Sequence, residues 1–326
     1  MNDEVVVARK LALALALGLA LAAPHALAYP DKPVRMLVGF AAGGGTDITA
    51  RMVAAKLTEQ LKQTVLVENR PGSGGMIATA AVARAPADGY TLLMAAAADA
   101  VQHLVRKDLP YDLLRDFSAV SLVVTVPFAL VIHPSVPAAS VAELIRIARA
   151  QPGKLNYGSS GIASSAHLSN ELFNAMAGVR IVHVPYRGVS EGITALATGQ
   201  VDMVFASFPA AIPLAEAKKI RMLAVSTPYR SVVAPQLPTV SESGLKGYER
   251  YGWYGVLAPK DAPKDITGRL NKVIVAVVND AELRDAFVRQ GLEPKTNAPD
   301  EFAKFLESEV AGSAKLVRSA ELSGQR

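Results

Sequence analysis

Three short stretches carry the residue types that hold anions. Each follows an apolar run and precedes a helix-like pattern: Ala41 to Asp47 (AAGGGTD), Gly158 to Ser165 (GSSGIASS) and Pro185 to Gly188 (PYRG). Glycine lets a ligand approach backbone N–H groups closely, and a following helix adds unpaired donors and the positive end of its dipole. Anion capture is the chemistry they share.

A nucleotide phosphate does not fit. The P-loop requires a lysine after its last glycine, and none follows Gly43, Gly44 or Gly45; the dinucleotide fingerprint fails because Ile48, counted from Gly43, and Ile77, counted from Gly72, stand where its final glycine must be. A carboxylate is the next anion to consider. Nucleophilic catalysis has a foothold in Ser159, Ser160, Ser164, Ser165 and His167, with Ser164 and His167 spaced to be neighbours on one helix. The nucleophile elbow G-x-S-x-G fails there, since Ile162 takes its last place. The plainer reading is that Ser164 or Ser165 starts a helix and His167 packs in its first turn. His103, His133 and His183 show no metal-ligand spacing, so neither a metal nor a cofactor is expected, and His133 and His183 read as structural. Asp202 begins a strand, at the wrong end for a ligand, whereas Ser207 follows that strand and is better placed. Glu191 opens a helix, where the dipole favours acidic residues in any case. Phe40 ends the first strand beside the glycine loop, while Tyr251, Trp253 and Tyr254 read as packing.

The elements that position these loops follow from periodicity. Val34 to Phe40 is a short, nearly unbroken apolar run, as in a strand buried on both faces, and Asp47 to Gln63 is an amphipathic helix capped by Thr46 or Asp47. Strand Thr64 to Glu68, a helix over Gly75 to Arg84 and strand Thr91 to Ala95 continue the alternation, which makes a parallel sheet with helices on both faces. After the apolar stretch Val120 to Ile132 the pattern restarts. Helices are expected at Val141–Ala150, Ser165–Met176, Glu191–Thr198 and Pro209–Ala217, and strands at Leu155–Tyr157, Val179–Val184, Val201–Ala206 and Arg221–Val225. Pro235 to Pro263, rich in Gly and Pro, reads as a return crossing between two lobes. Helices at Asp265–Val278, Ala281–Gln290 and Pro299–Ser319 complete the chain.

The chain has 326 residues, 51% hydrophobic and 19% charged, enough apolar material for one large or two medium domains. Leu11 to Ala23 is an apolar run behind Arg9 and Lys10, too short to span a membrane, and Ala26-Leu27-Ala28 supplies a small-residue cleavage site; residues 1–28 read as a secretory signal peptide cut after Ala28. Cysteine is absent, which excludes disulfides, thiolate metal sites and a lipid-modified N-terminal cysteine. An exported protein without an anchor is retained by a Gram-negative periplasm. The net charge of +5 is scattered rather than clustered with aromatics, so nucleic acid is not an expected partner.

The order of YPDKPVRMLVGFAAGGGTD, VENRPGSGGMIATAAVARAPADGYTLLMA, NYGSSGIASSAHLSNELF, VPYRGVSEGITALATGQVD and LPTVSESGLKGYERYGWYGVLAPKDAP resembles the Bug (TctC-like) family of periplasmic substrate-binding proteins of tripartite tricarboxylate transporters. The resemblance implies an α/β fold of type II periplasmic-binding-protein topology with a ligand cleft between two lobes, here 29–127 plus 253–326 and 128–252, crossing near 120–132 and 235–258. It implies a small carboxylate ligand, bridging waters, permease subunits as partners, a monomer and no enzymatic activity. One lobe would contribute Phe40, Ala41, Gly43, Gly44, Gly45 and Thr46, with Asp47 capping the helix and orienting the loop. The other would contribute Ser159, Ser160, Ala163, Ser164, Ser165 and His167, with Tyr186 and Ser207. Ala97, Asp99, Tyr186 and Ser207 would face the far end of the cleft and set specificity. Ala163 replaces a glycine usual in the family, and Glu191 would select against a second ligand carboxylate or favour an amino group. A secreted serine hydrolase and a ligand receptor for a membrane sensor are the alternatives.

Overall fold

β1 (Val34–Val38) buries every residue but Arg35, whose side chain pairs across the sheet edge with Glu68 of β2 (Val65–Asn69). Between them runs α1 (Gly45–Leu61), which turns Val53, Ala54, Leu57 and Leu61 inward at helical spacing. α2 (Met76–Ala83) and β3 (Thr91–Ala96) follow, then α3 (Ala97–Val105), β4 (Phe117–Val126) and β5 (Phe128–Ile132). The second half holds α4 (Val141–Ala150), β6 (Asn156–Ser159), α5 (Ser165–Ala177), β7 (Val182–Pro185), α6 (Val189–Ala197), β8 (Met203–Ser207), α7 (Phe208–Glu216) and β9 (Arg221–Val225). β10 (Gly252–Pro259), α8 (Lys264–Val278), α9 (Ala281–Arg289), β11 (Glu293–Pro294) and α10 (Pro299–Gly324) close the chain. This structure, a computed structural model, describes residues 29–105, 109–161, 164–186 and 189–324. The expected signal peptide, Ala163, Arg187 and Gly188 lie outside the described residues.

From Lys32 onward the chain forms one body that carries two sheets. The first is ordered β11-β4-β10-β3-β1-β2 and the second β7-β6-β8-β5-β9. Both repeat one scheme: β1 pairs in parallel with β2 and β3, as β6 does with β7 and β8, and one antiparallel strand then intrudes, β10 between β3 and β4, β5 between β8 and β9. The α/β class and two-lobed arrangement implied by the sequence are thus borne out.

The apolar stretch Val120 to Ile132 is two strands in different sheets, parted at Pro127, which has no N–H to continue a ladder. The Gly- and Pro-rich Pro235 to Pro263 segment is only partly a crossing, because Gly252–Pro259 is a central strand of the first sheet. Its Trp253 is fully buried and meets Phe302 of α10 edge-on, with ring centroids 5.8 Å apart. The second core is organised by Phe173, Phe205 and Tyr248, the last two stacked at 5.6 Å. Asp202 precedes β8 rather than opening it, and its carboxylate accepts the Asn156 N–H at 2.8 Å. Among the described residues no helix is long and apolar enough to cross a membrane.

Candidate functional site

A cavity of about 630 Å³ lies where the carboxyl ends of the parallel strands of both sheets meet, within the size range of small-molecule sites. The first turns of five helices reach it: Gly45 and Thr46 of α1, Ala97 and Ala98 of α3, Ser165 and Ala166 of α5, Gly192 of α6, and Pro209 of α7 behind its N-cap Ser207. Part of the remaining wall comes from the strands joining the lobes, through Val126, Phe128 and Gly252 to Tyr254, and part from Gln290 to Leu292.

On the first lobe, the glycine loop is held from behind. Gly43 turns the chain at φ 80°, a left-handed conformation that glycine adopts without strain. Its N–H donates to Asp47 Oδ2 at 2.8 Å, Asn69 Nδ2 donates to Asp47 Oδ1 at 2.9 Å, and Arg51 Nε pairs with the same carboxylate. Burial alone would raise the Asp47 pKa, but hydrogen bonds from Arg51, Gly43 and Asn69 outweigh it and hold the carboxyl below its usual range. An ionised Asp47 therefore fixes the loop, while Gly45 and Thr46 present the helix N-terminus to the cavity. Tyr254 crosses over them: its hydroxyl lies 2.7 Å from where a Cβ on Gly45 would stand, and it is hydrogen-bonded to Thr46.

On the second lobe, strand alternation puts Tyr157 and Ser159 on one face of β6, and the register sets His183 of β7 opposite Tyr157. Ser159 Oγ lies 2.6 Å from His183 Nε2 and accepts the Gly161 N–H at 3.1 Å. The His183 ring stacks on Tyr157 at 4.9 Å and meets His167 of α5 at 4.3 Å. Beneath, the Tyr157 hydroxyl donates to Glu171 at 2.6 Å. Burial, reinforced by the neighbouring His167, pushes His183 down to about 4, and burial lowers His167 as well. Both rings are neutral near pH 7. Ser164 caps α5 by accepting the His167 backbone N–H at 3.2 Å.

Of the residues singled out in the sequence, Phe40, Gly45, Thr46, Ser159, Ser160, Ser165 and Ser207 line the cavity. Ala41, Gly43, Gly44, Asp47, Ser164, His167 and Tyr186 are not among the lining residues; Asp47 and His167 are buried, while Ala41, Gly43 and Gly44 are exposed. Of the residues expected at the far end of the cleft, Ala97 lines it and Asp99 does not; Asp99 is buried at the start of α3, accepting the Ala96 N–H at 2.8 Å and the Thr79 hydroxyl at 3.0 Å. Burial pushes its pKa up to about 6. Glu191 is exposed, outside the lining. Sequence reasoning missed Tyr254 and Phe128, which enter from crossing strands, and His183, which reaches Ser159 only through sheet register.

The model for the tripartite tricarboxylate transporter family receptor, TctC, matches residues 49–322. Among solved structures, R. palustris Rpa4515 with adipate is 38% identical, with 90% of this chain and 98% of that chain covered and a TM-score of 0.77. The periplasmic binding protein BugD is 32% identical over 90% of this chain and 99% of its own, TM-score 0.73. MatC (Rpa3494) from Rhodopseudomonas palustris, with bound malate, is 28% identical over 89% and 100%, TM-score 0.72. The resemblance read from the five stretches is borne out. With the family model matched over most of its length, the chain belongs to the tripartite tricarboxylate transporter family of receptors, the TctC or Bug family of periplasmic solute-binding proteins.

Proposed function

We propose that this chain works in the periplasm as a monomeric binding protein that captures a small carboxylate and hands it to the permease subunits of a tripartite tricarboxylate-type transporter. The lobes are 29–127 plus 253–326 and 128–252, and their closure over the ligand is the working motion. The observation that carries this reading is the convergence of five helix first turns, from both sheets, on one cavity lined by Thr46, Ser159, Ser160, Ser165 and Ser207. Such donors hold an anion without a salt bridge, directly or through bridging water. The adipate and malate in the related structures are carboxylates of suitable size.

Catalysis is disfavoured on chemical grounds. A general base is most effective with a pKa near the working pH, and burial with the neighbouring His167 lowers that of His183 away from it. The interaction energies also speak for whole-ligand capture. Each helix N-terminus contributes about 0.3–1 kcal/mol to holding an anion, up to ~2 where partly buried, whereas micromolar affinity requires about 8 kcal/mol. Two or three termini on one carboxylate leave a deficit that burial of the ligand's body must supply.

A thermal-shift screen of mono-, di- and tricarboxylates and acidic amino acids tests the reading, because a ligand that binds only the folded chain raises its melting temperature. At least one carboxylate is expected to do so, and its uncharged amide is not. A panel with no shift from any carboxylate overturns the proposal.

A further inference from the structure

Two partly exposed phenylalanines line the cavity, one beside each anion-holding edge. Phe40 follows β1 and adjoins the glycine loop; its ring lies 3.5 Å from where a Cβ on Gly75 would stand. Phe128 opens β5, and its ring lies 3.4 Å from the corresponding point on Gly252. Each ring is thus seated against the bare backbone of a glycine. Asp99 flanks the Gly75 seat and Val126 the Gly252 seat, and each ring also borders the cavity. Phe128 is also paired in register with Ser207 across β5 and β8, so the two side chains project from the same face of the sheet. An aromatic surface and a hydroxyl at a helix N-cap therefore stand side by side. Ile48 and Leu292 extend the apolar wall.

A hydroxylated, multiply charged ligand gains nothing from such walls and loses hydration against them. A flat apolar ring gains burial and offset stacking, while a carboxylate attached to it reaches the adjoining helix termini. We propose that the preferred ligand is an aromatic carboxylate and that Phe40 and Phe128 are the residues that select its ring. This rests on the carboxylate reading above and narrows it to one class.

Calorimetric titration of the unmodified protein with benzoate, cyclohexanecarboxylate, malate and benzamide tests both levels separately. Benzoate is expected to bind at least about tenfold more tightly than malate and about three- to tenfold more tightly than the non-planar cyclohexanecarboxylate, the range that stacking geometry supplies. Equal affinity for cyclohexanecarboxylate overturns the role of a flat ring, and tighter binding of malate overturns the aromatic class while the carboxylate reading stands. Benzamide binding as tightly as benzoate overturns the carboxylate reading itself. Phe40→Leu and Phe128→Leu, checked for folding by their ligand-free melting temperatures, should each lose about three- to tenfold in benzoate affinity, a larger loss than either shows for malate. Unchanged benzoate affinity in both folded variants removes the selecting role, and the ligand series on the unmodified protein decides the class should either variant fail to fold.

Discussion

Ser159 Oγ stands 2.6 Å from His183 Nε2, and this contact joins a cavity-lining hydroxyl to a stack of three rings, Tyr157, His183 and His167. The neutral imidazole fixes the Ser159 hydroxyl, which also accepts from Gly161 N–H, so the turn at 159–161 is held from its inner side. His183 is therefore a positioning residue for the loop that meets the ligand. His183→Ala should weaken carboxylate binding about three- to tenfold, corresponding to the roughly 0.5–1.5 kcal/mol of a neutral hydrogen bond. His183→Gln keeps a polar group in reach and should recover part of that loss. Titration calorimetry on folded variants checks both, and equal affinities for Ala and Gln would mean that packing alone matters.

Stability near pH 5 depends on two groups with opposite signs, the half-buried His183 and the buried Asp99. His183 titrates at about 4 in the folded chain against 6.5 unfolded, so the unfolded chain binds more protons between those values. Its contribution is complete above 6.5 and is lost as the pH falls toward 4. Asp99 titrates at about 6 folded against 3.8 unfolded; its contribution is complete below 3.8 and is lost as the pH rises through 6. The two slopes oppose each other over nearly the same window. Asp99→Asn should make the melting temperature fall more steeply than in the unmodified protein as the pH drops from 6.5 to 4.5, and His183→Gln should shift the slope the other way. Parallel profiles for all three proteins would show that neither group carries the linkage.

The first of these groups illustrates what a sequence conceals. The glycine loop, the helix after it and the β/α alternation are legible, because their signals are local: a buried apolar run, a turn rich in glycine, and apolar residues at helical spacing. Asp47 could be expected to orient the loop, since it lies within one turn of it. His183 could not be matched to Ser159, because their meeting depends on β6–β7 register, which nothing within either strand records. β10 was hidden for a related reason. Its Gly and Pro surroundings imitate a crossing, and its place between β3 and β4 is set by long-range packing of Trp253 on Phe302. Tyr254 and Phe128 were missed with it, since both belong to strands that pass between the lobes.

Tyr254 gives a test of the close approach at Gly45. A methyl group there would stand 2.7 Å from the Tyr254 hydroxyl, well inside contact distance, and would drive the ring from its hydrogen bond with Thr46. Gly45→Ala should therefore reduce carboxylate affinity about tenfold or more, through a shifted Thr46 and helix terminus. Tyr254→Phe removes the clashing oxygen. The double variant should bind more tightly than Gly45→Ala alone, a coupling that a calorimetric double-mutant cycle measures directly. Additive losses would place the effect of Gly45→Ala elsewhere.

Arg250 and Glu309 bind the crossing segment to the last helix. Arg250 Nη1 lies 3.6 Å from Glu309 Oε2, which also accepts from the Trp253 indole N–H at 3.0 Å, and the guanidinium is only 7% exposed. Burial raises the Glu309 pKa, and the Arg250 charge and the Trp253 hydrogen bond oppose that rise. Glu309→Gln retains an acceptor for Trp253 but strands a buried cation. It should cost about 3–5 kcal/mol in urea unfolding. Arg250→Met strands the carboxyl instead, and that group can neutralise itself by taking a proton. Its cost should therefore be smaller at pH 5 than at pH 8. The double variant, with neither charge buried, should be more stable than Glu309→Gln alone; a strictly additive loss would show that the two side chains are not coupled.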